Sequence, residues 1–219
     1  MRSLPKDLAT AVLAMVVLTV ICGVLYPLAI TGIGQVAFHA NADGQLVSVH
    51  GHLVGSRLIG QNFADPELRD GAPVLHAGQP VTTPDPRYFQ TRPSGTTPAD
   101  NAAATTFANL GPNSTVTLRA IQTNIAAYIT LNGRYVPGGL TAGEVPVDAA
   151  DTSASGIDPD ISPANAEMQA YRIAAVRHLR LGTVRHLIRT YTGGRGLGVL
   201  GEPSVNVLEL NLALDRISH

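Results

Sequence analysis

The 219-residue sequence predicts an α+β protein: one N-terminal transmembrane helix followed by a single extracytoplasmic mixed α/β domain. Three observations predict it. From Leu8 to Ala42 there is no Asp, Glu, Lys or Arg, and a helix needs only about 20 apolar residues to cross the hydrocarbon of a bilayer. Beyond that run, short aliphatic stretches between turn residues alternate with longer segments whose apolar residues recur at helical spacing. Charged residues are only 14% of the chain, whereas Gly (22) and Pro (15) are plentiful, a balance that favours a loop-rich domain over a helical bundle.

The membrane element comes first. Arg2 and Lys6 precede the apolar run, and the next basic residue is Arg57. Positive charge near the ends of a span stays in the cytoplasm, so residues 1–7 are read as a cytoplasmic tail, 8–34 as the transmembrane helix and 40–219 as the extracytoplasmic domain. Ala40-Asn41-Ala42 has the small residues of a signal-peptide cleavage site. The apolar run, however, exceeds the roughly 7–15 residues of a signal-peptide core, so a retained anchor is the better reading. Gly23, Tyr26, Pro27, Thr31, Gly32 and Gly34 occupy its outer half. Small residues let helices approach closely and proline bends a helix, which makes Gly23, Tyr26, Pro27, Thr31 and Gly32 candidates for packing against a partner helix.

The outer domain follows. Leu46–Val49, Leu53-Val54 and Arg57–Gly60 read as short strands around turns at Gly51 and Gly55. Residues 62–113 show little periodicity and read as loop with short helical turns, a length of irregular chain that is usually functional or partner-covered. Leu118, Ile121, Ile125 and Tyr128 predict a helix over 114–132, ending near Gly133. Ser162-Pro163 is a good helix start; the helix is expected to run to about Leu179 with Met168, Tyr171, Ala175, Val176 and Leu179 on its apolar face. Val184, Leu187, Ile188 and Tyr191 mark another helix, stopped by Gly193-Gly194. Leu208, Leu210, Leu212 and Leu214 alternate with Glu209, Asn211 and Ala213, a period of two that predicts a half-buried strand.

The chemistry is sparse. The formal net charge is −1, there is no basic run and no Trp, which argues against a nucleic-acid surface. Cys22, the one cysteine, falls inside the span, so no intrachain disulfide or cysteine metal site is available. Gly196-Leu197-Gly198-Val199-Leu200-Gly201 has the letters of a dinucleotide fingerprint, but it follows a helix and the chain ends too soon for a βαβ unit. A glycine-rich turn is the better reading. His50 and His52 could share a strand face, yet no third ligand or supporting shell is evident. Ser153, Ser155, Asp158 and Asp160 crowd one loop, where their side chains are expected to bond nearby backbone N–H groups. No Gly-x-Ser-x-Gly elbow occurs. No catalytic residue, metal ligand or cofactor site is assigned, which favours an accessory subunit or binding module over an enzyme.

Several segments, read together, resemble one family. They are Tyr26-Pro27-Leu28-Ala29-Ile30-Thr31-Gly32-Ile33; Gly55-Ser56-Arg57-Leu58-Ile59-Gly60-Gln61; Tyr88-Phe89 with Arg92-Pro93-Ser94; Asn109-Leu110-Gly111-Pro112; Val145-Pro146-Val147-Asp148; Ser153-Ala154-Ser155-Gly156 with Asp158-Pro159 and Ile161-Ser162-Pro163; and Leu200-Gly201-Glu202-Pro203 with Val205–Leu208 and Leu210–Asp215. The set is similar to the C subunit of the bacterial Kdp potassium-transporting P-type ATPase. Two departures stand out: Ala102–Ala108 replaces a Gly/Ser-rich step before Asn-Leu-Gly-Pro, and Asp160 stands where the family commonly has His.

The resemblance implies a non-catalytic accessory subunit in the bacterial inner membrane, assembled with a channel-like potassium-binding subunit, a P-type ATPase subunit and a small membrane peptide. It implies stimulation of the ATP-hydrolysing subunit by raising its affinity for ATP, with ATP reaching this chain only through that partner. Such coupling is expected to be indirect, since ATP is cytoplasmic and the domain is read as outside. The alternatives are an unrelated single-pass extracytoplasmic ligand-binding or sensor domain, and a membrane-anchored hydrolase.

Overall fold

The computed structural model describes residues 4–76, 78–104, 110–111 and 113–217. Arg2, Asn109, Pro112 and residues 105–108, all used in the sequence reading, lie outside them. The chain divides into two compact units after Leu46.

In the first unit, helix α1 (Leu4–Val20), a π-helical turn (Ile21–Leu25) and α2 (Tyr26–Ala37) are continuous. The resulting Leu4–Ala37 helix of 34 residues is long and apolar enough to cross a membrane, and none of it is buried. Pro27 explains the π turn. It has no N–H, and its ring crowds the carbonyl four residues back. The ladder slips by one, and the Tyr26 N–H reaches the carbonyl of Ile21. A short helix, α3 (His39–Ala42), follows a break at Phe38.

Next comes the hairpin of β1 (Leu46–Val49) and β2 (His52–Ser56), which lies in the second unit from Val47 onward. Its turn places both His50 and Gly51 at positive φ (50° and 80°), the geometry that matches strand twist. The third strand expected at Arg57–Gly60 is instead a turn: the Leu58 N–H bonds the Ser56 hydroxyl at 3.1 Å, a local alternative to strand pairing.

Residues 64–84 do carry a periodicity, contrary to the sequence reading, and form strands instead of helical turns. Three small antiparallel pairs follow one another: β4 (Leu68–Arg69) with β5 (Ala72–Pro73), β6 (Leu75–His76) with β7 (Gln79–Pro80), and β3 (Ala64–Pro66) closed by β8 (Thr82–Pro84). Where they meet, Val74 N–H bonds Glu67 O (2.8 Å), Val81 N–H bonds Val74 O (2.8 Å) and Glu67 N–H bonds Val81 O (2.7 Å). These three residues are seven apart, as are Pro66, Pro73 and Pro80. The segment is a pseudo-threefold knot of hairpins around a closed ring of backbone bonds.

The remainder builds the core. Helix α4 (Thr115–Asn132) starts where the Ser114 hydroxyl accepts the Thr117 N–H. After α5 (Val147–Ala150) come β9 (Asp160–Ile161), α6 (Pro163–Val176), α7 (Leu181–Thr190), β10 (Thr192–Gly193), β11 (Ser204–Asn206) and α8 (Val207–Ile217). The strands form an antiparallel sheet in the order β10-β11-β9. Phe89, Ile161, Ala170, Ile173, Val184, Ile188, Val205, Leu210 and Leu214 are buried together beneath it. The Ser162 cap holds as expected, its hydroxyl accepting the Asn165 N–H at 3.1 Å. α6 ends in a Schellman motif, with Leu179 N–H on Ala174 O, His178 N–H on Ala175 O and His178 at φ 55°.

Two further expectations are corrected. The leucine-rich 207–217 segment is helical, not a strand: Val207, Leu210, Asn211 and Leu214 are buried at helical spacing, and leucine is a good helix former without β-branching. On α6 the buried side is Asn165, Ala166, Gln169, Ala170, Arg172 and Ile173, whereas Ala175 is exposed and Met168, Tyr171 and Val176 are only half-buried. Small residues and partnered polar ones face the core there, and the apolar stripe does not.

Candidate functional site

In the first unit all five candidate packing residues are exposed, and they divide between two sides of the helix. Pro27 and Thr31 follow Gly23 at intervals of four and share its side. Gly32 lies nine residues after Gly23, about two and a half turns, on the other. A Cβ at Gly32 would meet nothing within 4 Å. That notch belongs to a shallow groove of about 440 Å³ lined by Leu28, Ala29, Gly32, Ile33, Val36 and Ala37. The sequence reading missed Leu28, Ala29 and Val36; the i, i+4, i+8 spacing of Leu28, Gly32 and Val36 was the available signal.

In the second unit the segments that carried the family resemblance meet at one place. Gly60 N–H bonds Ile157 O (2.8 Å) and Gly95 N–H bonds Gly156 O (2.8 Å). A Cβ on Gly60 would sit 2.9 Å from Asp158 O, so glycine is required by close approach. Arg92 reaches Thr152 O at 3.0 Å and Asp158 Oδ2 at 3.4 Å. Asp148 accepts from the Ser162 N–H, the Ser162 hydroxyl and the Asn165 amide. Asn211 clasps Phe89, accepting its N–H at 2.9 Å and donating to its carbonyl at 3.0 Å. The serine loop behaves as expected: Ser153 and Ser155 hydroxyls accept from Gly156 and Ile157 N–H groups, and Asp158 from Asp160 N–H. Asp160, the departure from the family pattern, accepts from the Ser204 hydroxyl (2.7 Å) and the Asn206 amide (3.1 Å), tying β9 to β11.

At the centre lies Arg172, whose side chain is fully buried. It donates to Asn132 Oδ1 (2.9 Å), Tyr88 O (2.9 Å), Gln169 Oε1 (2.8 Å) and Pro86 O. All four acceptors are neutral. Burial pushes its pKa down to about 10, against the pull of Tyr128, Tyr135 and Asp85, so it stays charged at neutral pH. Gln169 and Gln90 exchange a reciprocal pair at 2.8 and 3.0 Å. The irregular segment 85–101 is thereby fastened to α6 and α8 through its backbone. Burial raises Asp85, but the hydrogen bonds and charge of Arg87 outweigh it and hold that carboxyl below its usual range. Asp100 is raised by burial, with Thr91 and Ser94 opposing.

Two cavities flank α4. One of about 660 Å³ is lined by Leu110, Val116, Ile121, Asn124 and the 151–154 turn; another of about 280 Å³ is lined by Gln90, Arg92, Asp100, Asn124 and Tyr128 among others. His50 and His52 are exposed. Among the described residues no three His, Cys, Asp or Glu gather to hold a metal ion. Gly196–Gly201 is a hairpin tip between β10 and β11, without the strand-to-helix turn of a dinucleotide site. Several arginines are held in ion pairs, among them Arg57 with Glu209, Arg87 with Asp85, Arg177 with Asp215 and Arg185 with Glu167.

The family model for "K+-transporting ATPase, c chain" (KdpC) matches residues 8–216. A KdpC subunit from Methylococcus capsulatus (strain Bath) is 44% identical over 94% of this chain and 96% of its own length. One from Herminiimonas arsenicoxydans is 42% identical over 96% and 98%. One from Koribacter versatilis is 40% identical over 96% and 94%. With a family match across nearly its whole length, one helix fit to span a membrane and a mixed α/β unit behind it, this chain belongs to the KdpC family of potassium-transporting ATPase subunits.

Proposed function

We propose that this chain is the non-catalytic accessory subunit of a high-affinity ATP-driven potassium uptake complex. It assembles with a channel-like potassium-binding subunit, a P-type ATPase subunit and a small membrane peptide, and raises the affinity of the ATPase subunit for ATP. The family match over residues 8–216 carries this reading. The second unit supports an indirect effect, because its polar side chains fasten one segment of the chain to another. On this reading the domain or anchor favours one conformation of the partners, and ATP binds that conformation better.

The charge flanking the span supports a cytoplasmic tail and an extracytoplasmic domain. With Cys22 replaced by Ala, Ser48→Cys and Thr130→Cys, both at exposed positions, are expected to react with an impermeant thiol reagent on intact cells. Labelling only after lysis would reverse the orientation and reopen a direct contact with ATP.

Assembly is proposed to use the outer half of the membrane helix. Gly32→Leu fills the notch in the 28–37 groove and is expected to reduce recovery of the partner subunits on purification in mild detergent. Val17→Leu, on the inner half, is expected to leave it unchanged. Full recovery with both Gly23→Leu and Gly32→Leu would place the contact elsewhere. A wild-type chain that always purifies alone would favour an isolated ligand-binding domain.

A further inference from the structure

Leu197, the most exposed large apolar residue among the described residues of the second unit, sits with two other exposed apolar residues at the tip between β10 and β11. Leu197, Val199 and Leu200 are 92%, 75% and 61% exposed. The tip is built firmly. Gly196 and Leu200 exchange backbone bonds of 2.7 and 2.8 Å, Val199 N–H bonds Gly196 O at 3.1 Å, and Arg195 pairs with Glu202 at 2.7 Å across the base. Its root is Val205, fully buried in the core. Leu197 is held at φ 51°, a region that a bulky residue enters only when its surroundings impose it. An aqueous surface gives no reason to hold three apolar side chains outward in this way.

The charge around the tip identifies what it faces. From Met168 to Gly201 the sequence contains no Asp or Glu and has six Arg and two His. Arg172 is buried, and Arg177, Arg185 and Arg195 are paired with Asp215, Glu167 and Glu202. Arg180, Arg189, His178 and His186 are exposed on and around α7, and neither Arg180 nor Arg189 has an ion-pair partner among the described residues. An apolar tip that follows Arg189 by only a few residues, with unpaired arginines at the start and end of the preceding helix, complements an interface with hydrocarbon below and anionic headgroups above. The contrast lies in the same unit: Leu68 and Leu75 are also exposed, but beside Asp65, Glu67 and Asp70, which an anionic surface would repel.

We propose that the 195–202 tip and the exposed arginines of α7 dock on the surface of the bilayer, with Leu197, Val199 and Leu200 entering the headgroup layer. The proposal rests on the chain being membrane-anchored and not on which side its second unit occupies. The test uses the full chain, with Cys22→Ala and Val199→Cys carrying a nitroxide, in nanodiscs with and without phosphatidylglycerol. Collision with oxygen is expected to exceed collision with a water-soluble nickel chelate in anionic discs, and to reverse in purely zwitterionic ones. Arg180→Gln with Arg189→Gln is expected to weaken docking about 30-fold, at roughly fivefold for each arginine, while leaving the fold intact because both side chains are exposed. A water-exposed label in anionic discs would overturn the proposal. Shielding from both reagents that arises only when the other subunits are present would also overturn it, in favour of a protein contact.

Discussion

A complex reconstituted without this subunit is expected to show ATP affinity weakened by about 5- to 150-fold, the usual range for one site acting on another through a conformational equilibrium. At limiting ATP the potassium-stimulated ATPase activity falls sharply; at saturating ATP it recovers, because the catalytic residues all belong to the partner on this reading. The measurement is the ATP dependence of hydrolysis with and without the chain. An unchanged ATP dependence would remove stimulation from the function. A loss that saturating ATP fails to rescue would mean that the subunit is needed for assembly or for the chemistry itself.

Arg172→Met is expected to lower stability by roughly 3–5 kcal/mol. The methionine fills comparable space, but Asn132 Oδ1 and Pro86 O lose their donor inside the protein, and Tyr88 O keeps only the Gln90 side-chain amide at 3.2 Å. Gln169 Oε1 keeps only the Gln90 N–H. Removing the desolvated charge offsets part of that loss. For a chain of this size the change corresponds to a fall in Tm of about 6–20 °C, readable by thermal denaturation of the full chain in mild detergent. Arg172→Lys is expected to recover only part of it, since one ammonium cannot reproduce the spread of a guanidinium fork. A melting temperature like that of the wild type would show that the 85–101 segment is held by its other bonds.

Much of this was legible because local chemistry announces itself. Ser162-Pro163 marks a helix start whatever surrounds it, and the cap of α6 lies where those residues put it; Gly193-Gly194, expected to stop α7, lies beyond its end at Thr190, and Gly193 pairs with Ser204 in β10. Long-range chemistry was not legible. The core-facing side of α6 includes Gln169 and Arg172, whose partners at 86–90 and 132 are distant in sequence, so no window along α6 could identify it. Along α8, a run of alternating leucines also satisfied helical spacing through Val207, Leu210 and Leu214, and the period of two misled. The 64–84 hairpins escaped for another reason. Each contributes only two or three residues of strand, too few for an alternation, although prolines and glycines recurring every seven residues were there to be read. In the first unit, glycine and proline content pointed to the C-terminal half of the helix, but not to the 28–37 groove.

The ring formed by Glu67, Val74 and Val81 sets a rule for how the 64–84 segment can change length. Each of these residues passes one hydrogen bond to the next and receives one from the last, so the segment has a beginning and an end in sequence but neither in bonding. Such a closed circuit counts only in whole arms. Losing or gaining seven residues changes the number of arms and breaks the circle. Inserting one or two at the Asp70-Gly71 turn, where both φ angles are positive, lengthens an arm and leaves the circle whole. Natural variation in this stretch is therefore expected to gather at the arm tips, while the spacing between ring positions stays fixed by arithmetic, whatever side chains occupy them.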